Sequence, residues 1–392
     1  MAGMEICKSD GGNSIKDKAA NYLFYLGVIT EVLLVIIDKS AYINPVEGLA
    51  FRLTFLLFLG KVCLTKYSFK EYVIMVFFLI IGSISYFVTE RNELVRIVMF
   101  LAACKDIDMG RCLKLVFWMT LAGCIGIMCL SLFGIFGTVS LTQDYGHGSV
   151  ETRYVLGMGH PNALQCMVWA LTALGLYLYS LKLRWYHYLM VFIVNVFFFQ
   201  LSGSKTALIV SIYTIIAFGI ASILKKKQVM KLFAIENIGM CLLSVLISIL
   251  AAKDAMDLWY YYAEGIYSEK ARFYSILDKI LTGRIHGLIQ TKEHEGTIQT
   301  WSLFSNPGND YYFDMGWVRL FYWYGIIPAS IAIVVLVIFL IWLCRNNKLL
   351  EIVLITVFAL YTVVEAHAVS VYIARNYVLF IIGMYWYRLK KE

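Results

Sequence analysis

What most constrains this chain is a series of about twelve apolar runs, most of them close to the roughly 20 residues a helix needs to cross a bilayer. They fall near residues 19–37, 46–64, 71–88, 92–104, 113–133, 160–181, 186–201, 204–224, 232–252, 316–343, 349–366 and 369–387. Each run is continuously apolar rather than alternating in short segments. The expected fold is therefore an all-α integral membrane protein with about 12 transmembrane helices, not a membrane barrel. Hydrophobic residues make up 60% of the 392 positions and charged residues 15%, against roughly 25% charged in a soluble domain. Residues 1–18 are polar and lead straight into the first run, so no cleavable signal peptide is expected.

The net charge of +8 would suit a nucleic-acid partner only if it formed one solvated face, and it does not. The cations alternate between connections: Lys8, Lys16 and Lys18, then Lys66 and Lys70, then Lys105, Arg111 and Lys114, then Lys182 and Arg184. The series continues with Lys225, Lys226, Lys227 and Lys231, with Arg345 and Lys348, and ends with Arg388, Lys390 and Lys391. The positive-inside rule makes that side cytoplasmic and places both termini there. The connection 138–159 and the long interval 253–315, between the ninth and tenth runs, are then extracytoplasmic parts of one polytopic domain spanning residues 1–392. None of the nine cysteines lies in those two segments and no CxxC or metal spacing occurs, so neither disulfides nor a zinc site is expected.

Ionisable groups inside apolar runs are costly and usually face a cavity or a partner. Glu31, Arg52 and Arg96 are such groups. Glu31 and Arg52 can pair as a structural bridge, and either arginine can instead contact an anion. Downstream, the connection carrying His147 and Arg153 leads into Gly157-Met158-Gly159-His160-Pro161-Asn162. Proline suits the first helical turn, so a helix starts there. Ser202-Gly203-Ser204-Lys205-Thr206 reads as a second start, with a lysine where the helix dipole disfavours a cation. Helix N-termini bear free N–H groups and partial positive charge. Together with Arg153 and Lys205, and with His160 and Asn162 alongside, they would make a seat for a phosphate or diphosphate.

The interval 253–315 is too long for a plain connection and too aromatic for a disordered one. It opens with Trp259, Tyr260, Tyr261, Tyr262 and Tyr267, rings suited to an interface or to stacking on sugars. Arg272 and the run Leu281-Thr282-Gly283-Arg284 follow, then His286 and His294. Arginine grips phosphate through paired hydrogen bonds, and histidine takes a proton near neutrality. The interval closes on Asn309-Asp310-Tyr311-Tyr312-Phe313-Asp314-Met315-Gly316, ahead of Arg319 and Tyr324-Gly325-Ile326-Ile327-Pro328. Asp314 reads either as a cap on the next helix or as a catalytic acid. Glu365, His367, Arg375 and Asn376 form a last polar cluster in an apolar region.

Taken in order, His160-Pro161-Asn162, Ser202-Gly203-Ser204-Lys205-Thr206-Ala207-Leu208, Leu281-Thr282-Gly283-Arg284, Asp314 before the Tyr-Gly-Ile-Ile run, and Glu365 resemble a known pattern. It is that of the Wzy-type polysaccharide polymerases of bacteria, in the capsule or exopolysaccharide branch, and more distantly of O-antigen ligases. The resemblance covers roughly residues 150–380. It departs at Lys205, where the family commonly has arginine, which keeps the charge and loses the bidentate fork. The resemblance implies a metal-independent glycosyltransferase of the C-type class in the bacterial cytoplasmic membrane. Such an enzyme transfers a growing glycan from undecaprenyl diphosphate to the next lipid-linked repeat unit, beside a flippase and a chain-length regulator of the same pathway. On that reading Arg153, Lys205 and Arg284 hold the diphosphate, and His286 or His294 takes the acceptor proton. Asp314, Glu365 and the tyrosines, Tyr311 among them, place the sugars, with Arg52, Arg96, Arg272 and Arg319 as further contacts. A transporter or flippase of the same lipid is the rival, although no internal repeat is visible. A membrane acyltransferase is a more distant one.

Overall fold

The computed structural model describes residues 15–145, 150–289 and 294–387. His147 and the basic residues Lys8, Arg388, Lys390 and Lys391 lie outside them. By contacts the chain divides into two compact units, Met1–Tyr72 with Met99–Ile223 and Tyr372–Glu392, and Val73–Val98 with Leu224–Val371. Both are built almost wholly of helices.

The chain starts with α1 (Ile15–Lys39), α2 (Glu47–Leu64), α3 (Phe69–Thr89), α4 (Glu93–Ala103) and α5 (Met109–Leu132). After them β1 (Ser140–Asp144) and β2 (Val150–Tyr154) pair antiparallel, Leu141 opposite Arg153 and Thr142 opposite Thr152. This short hairpin is a local addition to a mostly helical chain: Thr142 and Thr152 share a cross-strand hydroxyl hydrogen bond of 2.9 Å, a pairing suited to β-branched residues. Next come α6 (Pro161–Tyr179), α7 (Trp185–Ser202), α8 (Lys205–Ile223) and α9 (Lys227–Ala263). The remainder comprises α10 (Glu269–Ile280), α11 (Gly316–Tyr324), α12 (Ile326–Arg345), α13 (Leu349–Tyr361) and α14 (Tyr377–Tyr385).

Among the described residues eight helices, α1, α3, α5, α6 with its trailing turn, α7, α8, α9 and α12, are long and apolar enough to cross a membrane. The chain is a multi-pass membrane protein. The other expected runs are helical too, but with differences that have physical causes. The helix α2 carries Glu47, Arg52 and Lys61 within 18 residues, while α4 has 11 residues and α13 has 13. The last run breaks into a turn at Ile373–Arg375 and the nine-residue α14, whose N-cap is Asn376. The run 316–343 breaks at Gly325, whose φ of 93° ends α11. The ninth run ends near residue 252 in apolarity, yet its helix continues to Ala263.

In the first unit a chain of rings, Phe24 to Phe58 at 5.8 Å, Phe58 to Phe100 at 5.3 Å and Phe100 to Phe380 at 5.0 Å, forms the core. The last two pairs are edge-on, a geometry favoured beyond the area it buries. Gly27 makes room, since a Cβ there would sit 2.7 Å from the Phe58 ring. A buried polar ladder ties α6 to α7 and α8: the Ser202 hydroxyl donates to Gln165 at 3.3 Å, Asn195 donates to Thr172 at 2.9 Å, and Trp169 donates to Thr214 at 3.1 Å. Interhelical hydrogen bonds of this kind fix helices that share apolar surfaces. In the second unit α13 packs on α9, where the Thr356 hydroxyl donates to the Asn237 carbonyl at 3.1 Å.

Candidate functional site

In the first unit the polar ladder ends at the turn between α7 and α8. Gly203 closes α7 in the left-handed conformation, φ 68°, the usual glycine termination. Lys205 then starts α8, exposed and without an ion pair among the described residues. Against this turn lies Arg153 of β2. Its guanidinium donates to Glu151 Oε2 through Nε at 3.2 Å and a terminal nitrogen at 2.9 Å, and it rests on the Tyr145 ring at 4.1 Å. Glycine leaves room for it, because a Cβ at position 203 would come within 2.9 Å of Arg153 Nε and push that side chain aside. Glu151, Arg153, Phe199, Gln200, Gly203 and Lys205 help line a cavity of about 340 Å³. His160 caps α6, its Nδ1 accepting from the Asn162 amide at 3.2 Å, and its ring meets the edge of Tyr145 at 6.0 Å. Arg153, Lys205 and His160 thus share one neighbourhood.

Arg52 is not part of it. It is exposed on α2, and the pairing with Glu31 does not form. Buried Glu31 instead accepts from the Thr54 hydroxyl at 2.7 Å and from the Ile373 amide at 3.1 Å.

In the second unit the polar interval is ordered by α10 folding back on α9. Lys270 Nζ lies 2.6 Å from Asp254 and 2.8 Å from Asp257. Hydrogen bonds to Asp254 and then Asp257 raise its pKa above the ordinary lysine value. At the far end of α10 the buried Asp278 carboxylate accepts from the Ile285 amide at 2.8 Å and the His286 amide at 3.1 Å. Thr282 and Gly283, both at positive φ, complete a tight turn that aims Arg284. Its Nε is 3.2 Å from Asp314 Oδ2 and donates to the Val364 carbonyl at 3.2 Å, and a terminal nitrogen is 3.6 Å from Glu365 Oε1. Asp314 is therefore no helix cap. The N-cap of α11 is Met315, with no side-chain cap. Asp314 Oδ1 makes no hydrogen bond among the described residues.

The structure thus brings Arg284, Asp314 and Glu365 together and keeps both histidines apart from them. His286 is exposed and packs edge-on against Tyr262 at 5.4 Å. His294, at φ 74°, gives its carbonyl to the Thr297 amide and hydroxyl. Neither ring contacts the Arg284 cluster among the described residues. Arg272 is exposed on α10. Arg96 is buried and donates to the Val371 carbonyl at 3.1 Å. Buried His367 lies tilted against the Tyr361 ring, centroids 4.8 Å apart.

A strap that the sequence did not suggest places Asp314. Residues 309, 311 and 313 present alternate carbonyls to three side chains, as an extended segment does. Arg91 donates to Asn309 O at 3.1 Å, Trp323 Nε1 donates to Tyr311 O at 3.2 Å, and Arg319 donates to Phe313 O. The Trp323 ring is flanked by both guanidiniums, Arg91 at 4.2 Å and Arg319 at 4.5 Å, and Arg319 also covers Tyr312 at 3.9 Å. Cation–π contacts with desolvated guanidiniums contribute about 1–2 kcal/mol each. Arg319 is thus a clamp rather than an open ligand group. The Tyr311 phenol is raised above its usual pKa by burial first and then by Glu295 and Asp314. Trp323→Phe keeps the stacking and loses one hydrogen bond, so we expect a cost of about 1 kcal/mol and faster amide exchange at 309–314. Unchanged exchange would contradict the strap.

Among the described residues no group of three or more His, Cys, Asp or Glu side chains is arranged to hold a metal ion. Compared with family profiles, curated proteins and solved structures, the chain matches none.

Proposed function

We propose that the protein is a polysaccharide polymerase of the bacterial cytoplasmic membrane, extending a glycan carried on undecaprenyl diphosphate. The reading joins the Wzy-type resemblance to two clusters, one in each unit and each taken by itself. The observation that carries it is the cavity lined by Arg153 and Lys205 at the start of α8. Lys205 and the helix N-terminus, with Arg153 shared between Glu151 and the cavity, suit a lipid-linked diphosphate.

Taken by itself, the second unit offers a cation and a base together: Arg284 is assigned to the diphosphate and Asp314 to the acceptor sugar, with Glu365 beside them. An acceptor sugar hydroxyl gives its proton to Asp314 Oδ1, the carboxylate oxygen without a partner among the described residues. The hydroxyl oxygen bonds to the anomeric carbon of the growing chain. The bond from that carbon to the diphosphate breaks, and its electron pair leaves on undecaprenyl diphosphate. Glu365 holds Arg284 in place, and the tyrosines of 253–315 supply sugar-facing rings. His286 and His294 are the next candidates for the proton.

The lysine-rich connections place the termini in the cytoplasm and 138–159 and 253–315 outside. The twelve apolar runs of the sequence support about twelve crossings, of which eight have helices long enough to span, while α4, α13 and α14, of 11, 13 and 9 residues, are shorter than the roughly 20 a full span needs. The lipid-linked repeat unit is the substrate, and a flippase and a chain-length regulator are the implied partners.

The test is kinetic, with purified protein and synthetic undecaprenyl diphosphate–linked repeat units. Gly203→Ala, which forces Arg153 aside, is expected to raise KM for the lipid-linked donor about tenfold, the equivalent of one lost charge-assisted contact. Lys205→Ala is expected to slow turnover while Lys205→Arg retains it, because the arginine keeps the positive charge. Wild-type kinetics in Gly203→Ala and Lys205→Ala would remove this role from the cavity.

A further inference from the structure

The geometry points to α10 as an interfacial helix, with its outward face seated in the headgroup and upper acyl region of the bilayer beside α9. The inward face carries Ala271, Tyr274, Ser275 and Asp278, all buried. The outward face carries Phe273, Ile276 and Ile280, which are 61%, 54% and 59% exposed. Large apolar side chains at this spacing form one helical stripe. A solvated loop helix would have its polarity the other way round.

Depth identifies what covers the stripe. Lys270 pairs with Asp254 and Asp257, while Tyr274, one turn on, donates to Asp254 at 2.7 Å and reaches the Leu250 carbonyl at 3.4 Å. The helix α10 therefore runs antiparallel to α9, back toward its apolar stretch. At 1.5 Å per residue, the end of α10 lies about two turns below Asp254. That is the level of Leu246 and Leu250, which are 51% and 40% exposed on a helix apolar enough to cross the membrane. The stripe thus continues a surface that lipid already covers. Arg272 and Lys279 are exposed beside it, without ion pairs among the described residues, and they suit anionic headgroups. Because Asp278 holds the turn before Arg284, lipid seating of α10 would set that arginine at headgroup level, where a lipid-linked diphosphate lies. This consequence rests on the polymerase reading, whereas the seating of the helix does not.

The test uses the full-length protein in phosphatidylglycerol and phosphatidylethanolamine vesicles, with photoreactive p-benzoylphenylalanine replacing Ile276 or, as a control, the exposed Glu264. Irradiation is expected to give a phospholipid adduct at 276 about tenfold above that at 264, as burial in the acyl boundary requires. No lipid adduct at 276, or cross-linking there to a second protein, would overturn the proposal. A second variant, Ile276→Glu with Ile280→Glu, is expected to raise KM for membrane-embedded substrate and leave a water-soluble short-prenyl analogue unaffected. Equal losses on both substrates would contradict the role of lipid seating. A lipid adduct in a protein that never lengthens glycan would leave α10 in the membrane and remove the polymerase reading instead.

Discussion

Replacing Arg284 by alanine is expected to lower glycan-forming turnover by about 10²–10³-fold, the usual cost of losing one donor aimed at developing charge. Two effects combine. The cation itself is lost, and Asp314 and Glu365 are left as neighbouring carboxylates without the guanidinium they share. Asp314 then loses the cation that holds its carboxylate in place, so the acceptor's proton loses its destination. Stability should fall too, by about 1–3 kcal/mol, because the side chains of Arg284, Asp314 and Glu365 are only 17%, 30% and 14% exposed and two partly buried carboxylates lose their partner; the variant is expected to stay folded. Arg284→Lys keeps the charge without the fork and is expected to recover part of the rate. The measurement is initial rate against thermal unfolding for both variants. Rate loss matched by a collapse in unfolding temperature would show a structural role only.

Gly325→Ala is expected to give the largest loss of stability, about 3 kcal/mol or more. Gly325 sits at φ 93° and ψ 169°, a region that essentially only glycine occupies. A Cβ there would meet Phe304 Cα at 2.6 Å and Ser305 N at 2.6 Å, both main-chain atoms that cannot swing away. Those atoms belong to a segment that satisfies the helix break: Ile326 donates to Ser302 O at 2.9 Å and Ile327 to Leu303 O at 3.0 Å. Trp301 stacks on Phe321 at 4.5 Å just before it. Expelling the segment leaves amides at the break without acceptors, each costing about 1–3 kcal/mol when buried. Thermal unfolding in detergent, with limited proteolysis across 301–308, measures the effect. A variant as stable and as protease-resistant as the parent would refute the packing described for this break.

The membrane helices are legible in the sequence because a bilayer demands long apolar runs, and α1, α5, α6, α7 and α8 follow them to within a few residues. The end of α9 is not, because Lys253, Asp254 and Asp257 mark where apolarity stops and carry no signal to stop the helix. The break at Gly325 is hidden in an apolar run that reads as continuous, since it depends on backbone from residues 302–305. Of the site, charge and helix-start signals alone single out Arg153 and Lys205 as groups that could serve one anion. The pairing of Arg284 with Asp314 and Glu365 is not legible, because it joins three distant segments by packing alone. Arg91, in the connection between α3 and α4, is not singled out by the sequence. Its work depends on Asn309 and Trp323, which no local pattern links to it. Arg319 stands out in the sequence for its charge, yet that charge is spent on rings and a carbonyl.

The most direct measurement is stoichiometric. Purified protein in nanodiscs is given undecaprenyl diphosphate–linked repeat units, and new glycosidic linkages and released undecaprenyl diphosphate are counted over time. The account predicts lengthened glycan with one carrier diphosphate released per linkage formed. Lipid-linked repeat units that stay single, with every carrier bond intact, would contradict it.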